Sequence, residues 1–386
     1  MKRSFLLILI IIQILTSQAL PQISSTEIYL LTCDPGTESY SMYGHSALRV
    51  VDTSNNFDLV YNWGVFDFST PNFNWQFAKG RLDYMLGLYS YDNFLKEYAF
   101  TGRSVYSQRV NLDDTELLDL LNMINENAKP ENRNYRYDFF MDNCATRIRD
   151  IFETVLGENL IYTEEPAEAI PAYRKRLGEF LAAYPWLHMG IDLLLGSPGD
   201  DKCDQRGSMF LPDYLQKNLS LATVEGSIAS YPLLGPVETI MLFDHPSMKI
   251  PFYREAWFIL SIVMLVLLIS TYRIRNRLFH NLFDLVLFII LILLSFLMIF
   301  TNFLTDHTAM GSNFNIIWLN PLWIISVFAL FAGDRFIWFW RTQIGLSLIF
   351  MILITVIKQS MNPAMIPVIL IVIIRCYHRI KPGWTD

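Results

Sequence analysis

The part of the chain after residue 255 constrains the fold most, because long charge-free runs recur there at bilayer length. A helix needs about 17 to 25 residues to cross the hydrocarbon core of a membrane. Five runs meet or approach this length, namely 256–272, 285–305, 316–333, about 336–357 and about 359–374, and all are free of charge except the fourth, which has Arg341 near its start. The sequence therefore predicts a C-terminal all-α bundle of five transmembrane helices over residues 256–378 and excludes a wholly soluble protein.

Basic residues predict how this apolar part is oriented. Residues 256–386 carry nine Lys and Arg against four Asp, whereas residues 1–255 carry 21 basic and 33 acidic side chains. If residues 1–255 lie outside, the inner segments hold eight of those nine basic residues, as the positive-inside rule requires. We expect a multi-pass protein of the cell inner membrane with a periplasmic N-terminal domain and a cytoplasmic C-terminus. The acidic balance of that domain argues against a nucleic-acid partner.

The N-terminal residues also indicate export. Lys2 and Arg3 precede an apolar run at 5–15, and the segment Ser-Gln-Ala at 17–19 offers the small residues of a signal-peptidase site. We expect a cleaved signal peptide over residues 1–19, with an uncleaved anchor as the alternative. An extracytoplasmic domain is expected to follow over residues 20–250.

This domain has the pattern of a mixed α+β fold. Residues 46–52 and 59–63 read as two strands of an antiparallel hairpin, and the apolar spacing after Asp113 predicts a helix that ends at Lys129. A second helix is predicted from the N-cap pair Asp142-Asn143 to the residue before Gly157. Its apolar stripe puts Cys144 in the first turn, on the inward face.

Cys144 and His45 have the setting of a nucleophile and a base. A helix N-terminus lowers the pKa of a thiol because its free N–H groups stabilise the thiolate, and His45 stands at the entrance of the first strand. The N–H groups of the first helical turn, including that of Cys144, are suited to an oxyanion hole. Asn62 on the partner strand is the candidate that orients the imidazole. Further candidates for substrate contact or support of the pair are Asn143, Tyr43 and Arg49.

The residues alone leave alternatives open. A buried cysteine is most often a small hydrophobic residue, and Cys33 is a rival nucleophile, although Pro35 close behind it disfavours a helix that would present it. Cys33 and Cys203 are also candidates for a disulfide in an oxidising compartment. We expect no metal and no cofactor, because the sequence has no His/Cys cluster with ligand spacing and no Gly-rich phosphate loop.

Polar residues in the membrane part are candidates for a substrate path. His307 lies in the predicted outer loop between the second and third spans, and Asn320 lies within the third. Intramembrane polar groups are costly and often functional, although Trp and Asn near an interface are also common. Asp284 and Arg341 lie near inner ends of spans, where we expect them to snorkel.

Three segments together resemble a known family: LLTCDPGTESYSMYGHSALRV at 30–50, YNWGVFDF at 61–68 and YDFFMDNCATRIRDI at 137–151. They are similar to the exported domain of the Bacteroides-type lipoprotein N-acyltransferase family (Lnb-like). That domain resembles permuted papain-like enzymes of the NlpC/P60 and lecithin:retinol acyltransferase kind. The similarity extends through residues 209–212 and a five-helix membrane domain. It implies Cys144 as the nucleophile and His45 as the base, and it leaves the third residue open.

The resemblance implies a cysteine-dependent acyltransferase in the membrane. Such an enzyme moves an acyl chain from a phospholipid donor, through a Cys144 thioester, to the α-amino group of a diacylated lipoprotein acceptor. One alternative is a cysteine phospholipase or cell-wall endopeptidase with the same Cys-His pair. Another is a non-enzymatic sorting factor that binds lipoproteins, for which Cys144→Ala would leave function intact.

Overall fold

A computed structural model of the protein describes residues 25–38, 40–166, 170–226, 229–244 and 250–381. The expected signal peptide at 1–19 lies outside these residues. The strands are β1 (Thr26–Cys33), β2 (His45–Asp52), β3 (Phe57–Val65), β4 (Asp83–Ser90), β5 (Val105–Arg109), β6 (Asn134–Arg136), β7 (Leu160–Ile161), β8 (Thr223–Glu225), β9 (Ser230–Pro232) and β10 (Glu238–Met241). The helices are α1 (Phe73–Ala78), α2 (Tyr91–Thr101), α3 (Asp114–Ala128), α4 (Cys144–Leu156), α5 (Tyr173–Leu181), α6 (Pro185–Leu194), α7 (Gln205–Ser208), α8 (Pro212–Leu221), α9 (Ala256–Arg273), α10 (Arg277–Phe303), α11 (Ser326–Phe331), α12 (Ile337–Leu353) and α13 (Met365–Ile380).

A seven-stranded antiparallel sheet forms the centre of the N-terminal domain, in the order β10-β5-β1-β2-β3-β4-β6. The predicted hairpin is confirmed, since β2 pairs with β3 and Asp52 lies opposite Phe57. On its other side β2 pairs with β1, where Cys33 lies opposite His45. His45 therefore begins a central strand, at the end of the sheet where β1 and β3 finish.

Helices cover both faces of this sheet. On one face, Ile148 of α4 and Leu215 of α8 are fully buried in the same apolar cluster as Leu48 of β2. On the other face, Phe94 of α2 packs in a cluster with Ala47. Successive side chains of β2 thus pack into separate apolar clusters on opposite faces of the sheet. The mixed α and β character predicted for this domain is confirmed.

The two predicted helices of this domain are present. The helix expected after Asp113 is α3, which Asp113 caps and which ends before Lys129. The helix expected from Asp142-Asn143 is α4, which Asn143 caps and which ends before Gly157. Both have strong local N-cap signals, which explains why their bounds follow from sequence.

Four helical stretches of the described residues are long and apolar enough to cross a membrane: Ala256–Arg273, Arg277–Phe303, Phe314–Phe331 and Gly333–Leu353. The predicted count of five is not confirmed, because α13 has only 16 residues. The bounds predicted for the last span, 359–374, are wrong. Asn362 and Pro363 lie in a turn, the Asn362 side chain accepts a hydrogen bond from the Ala364 N–H, and the helix continues to Ile380.

The third of these helical stretches is not a continuous helix. Short 3-10 turns at Phe314–Ile317 and Pro321–Ile325 precede α11, and Pro321 lacks the N–H that a continuous helix needs.

Asp284 does not snorkel as expected. It is fully buried and accepts hydrogen bonds from Arg375 and Arg379 at 2.6 Å each, because a carboxylate among apolar helices requires charged partners.

Candidate active site

Helix α4 places Cys144 at the end of the sheet where β2 begins. Asn143 caps this helix, and its Oδ1 accepts hydrogen bonds from the N–H groups of Ala145 and Thr146 at 2.9 and 3.0 Å. The Thr146 hydroxyl in turn accepts from the Asn143 N–H at 2.7 Å. This reciprocal cap starts the helix at Cys144 and holds the thiol in its first turn.

The amide nitrogen of Asn143 holds the start of α4 to two neighbouring segments. Its Nδ2 donates to the carbonyl oxygens of Phe139 and Phe210 at 2.8 and 2.9 Å. Since Asn143 Oδ1 already accepts from the N–H groups of Ala145 and Thr146, the N–H of Cys144 is the first-turn donor left for the expected oxyanion hole. Asn143, one of the predicted site residues, thus supports the position of Cys144 through the backbone.

His45 lies between Asn62 and Cys144. Its Nε2 donates to Asn62 Oδ1 at 2.5 Å, because an amide oxygen can only accept. The remaining ring nitrogen, Nδ1, is therefore the one available for the hydrogen bond that links His45 to the Cys144 thiol. Cys144 and His45 are partly exposed, whereas Asn62 is buried. The structure thus brings together the three residues that the sequence singled out as nucleophile, base and orienting group.

The electrostatics of this group favour a charged pair. Burial by itself raises the pKa of the Cys144 thiol, but the charge and hydrogen bond of His45 and the N–H groups of Ser46 and Ala145 outweigh it and lower that pKa. Burial likewise lowers the pKa of His45, but Cys144 and the Asn62 hydrogen bond outweigh it and raise that pKa. Opposite shifts of this kind stabilise thiolate beside imidazolium, the reactive form of a cysteine nucleophile.

Gly64 is a site residue that the sequence reasoning missed. The pairing of β3 with β4 shifts register between Asn62 and Val65, and Gly64 in this bulge has a φ of 91°. A Cβ there would lie 3.8 Å from Cys144 Cβ and 4.0 Å from His45 Cε1. A glycine within a strand pattern indicates a bulge or a close approach of another group. Gly64 in the segment Asn-Trp-Gly at 62–64 is the sequence signal for this feature.

Tyr43 and Arg49 take part in packing and ion pairing. The Tyr43 ring contacts Phe139 at 5.1 Å between centroids, in an apolar cluster beside the site. Arg49 lies four residues along β2 from His45, makes two hydrogen bonds to Asp58 at 2.7 and 2.8 Å, and covers the Tyr91 ring at 3.5 Å. The described contacts of Arg49 hold β2 to its neighbours.

The two candidates from the membrane part lie in different places. His307 is in the loop after α10, where its Nε2 donates to the Phe77 carbonyl oxygen of α1 at 3.2 Å. Asn320 lies inside the bundle and donates to Gln343 Oε1 at 2.9 Å and to the Ile317 carbonyl at 3.0 Å. His307 thus faces the N-terminal domain, whereas the hydrogen bonds of Asn320 fix the break in the third stretch.

The other cysteines differ from Cys144 in their environment. Cys33 is fully buried, and burial raises its pKa to about 12, so the rival nucleophile is not activated. Cys33 and Cys203 are free thiols in separate apolar clusters, which is a correction to the disulfide considered for them. Within the described ranges, no group of three or more His, Cys, Asp or Glu side chains could hold a metal ion.

The loop after α10 joins the membrane part to the segment that carries Cys144. Asp306 accepts from Arg81 at 2.8 Å, and the Thr308 hydroxyl donates to Asp138 Oδ2 at 2.5 Å. The other oxygen of Asp138 accepts from the N–H groups of Phe140 and Met141, just before Asn143 and Cys144 in the chain. The site is therefore tied directly to the outer end of a membrane helix.

Comparison with known proteins agrees with this arrangement. Residues 18–176 match the model of the Lnb N-terminal periplasmic domain, and residues 249–381 match the model of the Lnb transmembrane domain. The searches of curated proteins and of solved structures found no match. The two matches together cover most of the chain, in the order of a periplasmic domain followed by a membrane domain. The chain belongs to the Lnb family.

Proposed function

We propose that this protein is an acyltransferase that moves an acyl chain from a phospholipid to the N-terminus of a lipoprotein. Its family indicates a membrane protein that modifies lipoproteins. The observation that carries the proposal is the arrangement of three side chains: Cys144 at the start of α4, His45 hydrogen-bonded to it, and Asn62 hydrogen-bonded to His45. The lowered pKa of the Cys144 thiol agrees with this arrangement. A thiolate there is a nucleophile held beside a proton donor.

In the first step, the Cys144 thiolate attacks the carbonyl carbon of a phospholipid ester. The Cys144 N–H donates a hydrogen bond to the oxyanion that forms. The carbon–oxygen bond to glycerol then breaks, and the protonated His45 gives its proton to the departing alkoxide. The products are a lysophospholipid and a thioester on Cys144, with His45 neutral.

In the second step, the α-amino group of a diacylated lipoprotein attacks the thioester carbonyl. Neutral His45 takes the proton that the nitrogen loses, and the carbon–sulfur bond breaks. The thiolate and imidazolium are restored, and the acyl chain ends as an amide. With a pKa of about 7.7 to 8.0, about a tenth to a sixth of such an amine is uncharged at pH 7 and able to attack.

The connection to the membrane part supports a lipid substrate. Thr308 and Asp306, in the loop after α10, bind Asp138 and Arg81 of the N-terminal domain. A site held at the membrane surface reaches lipid esters and limits the access of water, which otherwise hydrolyses the thioester. The same proposal includes an inner-membrane location, a cytoplasmic C-terminus, a permuted papain-like fold and a fifth span formed by α13.

Mass spectrometry of lipoprotein N-termini tests this function in cells. A deletion strain that expresses the wild-type protein should carry N-acylated lipoproteins, whereas one that expresses Cys144→Ala should carry diacylated ones. Cys33→Ala, at a buried thiol, is the matched control and should restore N-acylation. Restoration by Cys144→Ala would favour a non-enzymatic sorting factor. Free fatty acid or cleaved cell-wall cross-links, with unchanged lipoprotein N-termini, would favour a hydrolase.

A further inference from the structure

Five aromatic side chains form an exposed apolar surface beside the site. This aromatic surface consists of Phe66, Phe68, Phe73, Trp75 and Phe77. Phe68 is 72% exposed, and Trp75 and Phe77 are more than half exposed. Helix α1, which carries three of the five, buries none of its residues. A short helix that presents aromatic rings to water has little to stabilise it, so such a patch calls for an apolar partner.

The aromatic surface continues onto a membrane helix. The Trp75 ring lies 5.7 Å from that of Phe300, near the end of α10. This helix has 27 residues and is therefore about 40 Å long, whereas the hydrocarbon core is about 30 Å thick. Phe300 thus lies close to the lipid headgroups on the side of the N-terminal domain, the depth at which Trp side chains are enriched.

Hydrogen bonds hold this surface at that depth. The Phe77 carbonyl accepts from His307, and the Lys79 carbonyl accepts from the Asp306 N–H at 2.8 Å. The Lys79 ammonium lies 4.7 Å from the centre of the Trp75 ring. A cation beside an aromatic ring at the interface suits a phospholipid, which presents an anionic phosphate above apolar chains.

A continuous series of ring contacts leads from this surface towards the nucleophile. Phe73 contacts Phe66 at 5.7 Å, Phe66 contacts Tyr84 at 5.3 Å, and Tyr84 stacks on Tyr137 at 4.2 Å. Tyr84, Tyr137 and Cys144 pack at the border of one apolar cluster. Phe66, Phe73, Tyr84 and Tyr137 are all partly exposed, so the series offers an acyl chain apolar contacts between the aromatic surface and the thiol.

We propose that the aromatic surface enters the periplasmic leaflet and conducts one acyl chain of a phospholipid from the bilayer to Cys144. This inference rests on the proposed function, because it takes a membrane phospholipid as the acyl donor. The occupant is the donor chain because the surface is continuous with a membrane helix and carries Lys79 at headgroup depth. The rings act as positioning residues, and the chemistry stays with Cys144 and His45.

Acylation kinetics test this proposal in the full-length protein reconstituted into phosphatidylethanolamine and phosphatidylglycerol vesicles. The triple variant Phe68→Ser, Trp75→Ser, Phe77→Ser should form acyl-Cys144 from vesicle phospholipid about tenfold more slowly than wild type. Its acylation by p-nitrophenyl acetate, a soluble ester that needs no entry path, should be unchanged, which also reports an intact site. Phe100→Ser, at a 92% exposed aromatic of α2, is the matched control and should match wild type with both donors.

Several results would overturn the inference. One is a triple variant that takes acyl chains from vesicles at the wild-type rate. Another is normal acylation of Cys144 followed by slowed transfer to a diacylated lipopeptide, which would assign the surface to the acceptor. If wild type reacts with p-nitrophenyl acetate but never with phospholipid, the proposed function itself fails.

A binding measurement that needs no turnover completes the test. Cys144→Ala in vesicles that contain a phospholipid with a diazirine in its acyl chain should form photo-adducts on the segment 66–77. The triple variant on the same background should lose them while adducts on α10 remain. Adducts confined to the membrane helices would contradict entry of lipid at this surface.

Discussion

At the level of single residues, the pairing of Cys144 with His45 explains why the pKa of a partly exposed thiol is lowered. Burial opposes charge on both side chains, yet each supplies the opposite charge that the other needs. Cys33, which lies opposite His45 in the neighbouring strand, lacks such a balance, and its pKa rises to about 12. The opposite pKa shifts of the two thiols therefore depend on their surroundings and not on the residue type alone.

Removal of His45 should change the pH dependence of Cys144 alkylation. In wild type the lowered pKa keeps thiolate present below the ordinary thiol value of about 8.5. In His45→Ala burial dominates, the pKa of Cys144 moves upward, and alkylation by iodoacetamide at about pH 7 should slow at least tenfold. Cys33 should stay unmodified in both folded proteins and serves as the internal control. An unchanged pH profile in His45→Ala would refute the ion pair.

Asn62→Ala should have a smaller effect in the same direction. Loss of the hydrogen bond to Nε2 lowers the pKa of His45, so a smaller fraction of the ring is protonated. With less positive charge beside the thiol, the pKa of Cys144 rises. If Asn62 acts only by positioning His45, we expect kcat for acyl transfer to fall about tenfold with KM unchanged. Asn55→Ala, in the exposed turn between β2 and β3, is the control. A change in KM alone would show that Asn62 has another role.

Sequence could identify the residues of the pair but not their surroundings. Cys144 follows from a local cap pattern, and His45 from its place before a strand, both of which are short-range signals. The contact of Asn62 with His45 depends on how β2 and β3 pair, and the space beside the thiol depends on the bulge at Gly64. These features are set by the register of distant residues, so sequence offered Asn62 as a candidate and overlooked Gly64.

At the level of secondary-structure elements, one side chain at the start of α4 both caps the helix and makes tertiary hydrogen bonds. Asn143 Oδ1 caps the helix, while Nδ2 binds two carbonyls from different segments. Aspartate would cap equally well but would lose both donors and place a negative charge beside the thiol. The amide is therefore the side chain that suits both tasks.

Asn143→Ser should destabilise the N-terminal domain although serine is a good N-cap residue. Two buried carbonyls lose their donors, and at about 1 to 2 kcal/mol each the loss is about 2 to 4 kcal/mol. Thermal unfolding in detergent, followed by Trp fluorescence, measures it. Asp113→Ser at the start of α3 is the matched control and should cost much less, because that cap makes no comparable tertiary bond. Equal losses of stability at the two positions would mean that the tertiary hydrogen bonds of Asn143 do not stabilise the domain.

Elements with local signals were predictable, and those that depend on distant partners were not. α3 and α4 carry their own caps, and the β2–β3 hairpin carries its own turn. Sequence alone gives no order of elements between residues 158 and 250, because β7, β8 and β10 are short strands that pair with distant residues. In the membrane part, hydropathy located the apolar runs but not the turns at Pro321 and Pro363 that interrupt them.

At the scale of the whole molecule, a buried ion network joins the two parts of the chain. Arg174 of α5 pairs with Asp192 and Asp200 and donates to three backbone carbonyls. Asn362, just before α13, donates to the other oxygen of Asp192 at 2.9 Å. Together with the loop after α10, this network fixes the N-terminal domain onto the membrane domain.

Arg174→Met should therefore be strongly destabilising. It removes the cationic partner of two buried carboxylates and a donor to three carbonyls, and a broken buried pair costs about 3 to 5 kcal/mol. Arg81→Met removes a guanidinium from the exposed pair with Asp306 and should change stability little, since water replaces the lost contact. Denaturation of both variants in detergent makes the comparison. A similarly small loss of stability in both variants would show that the network of Arg174 contributes little to holding the two domains together.

Sequence indicated that the two domains exist but not how they meet. Charge bias and hydropathy placed a soluble domain beside a membrane bundle, and both family matches agree with that division. The contacts of Asp306, His307 and Thr308 with the N-terminal domain join residues far apart in the chain, and no local pattern encodes them. His307 was singled out for its polarity, and its partner, the Phe77 carbonyl, became visible only in the structure.

Transfer of a labelled acyl chain from phospholipid to Cys144, in the purified, reconstituted protein without an acceptor, shows directly whether Cys144 carries the acyl group. We predict that the label becomes bound to Cys144, is released by neutral hydroxylamine as a thioester should be, and is absent from Cys144→Ala. On addition of a diacylated lipopeptide, the label should move to its α-amino group and resist hydroxylamine. N-acylation of the lipopeptide by wild type without any label passing through Cys144 would contradict the central claim.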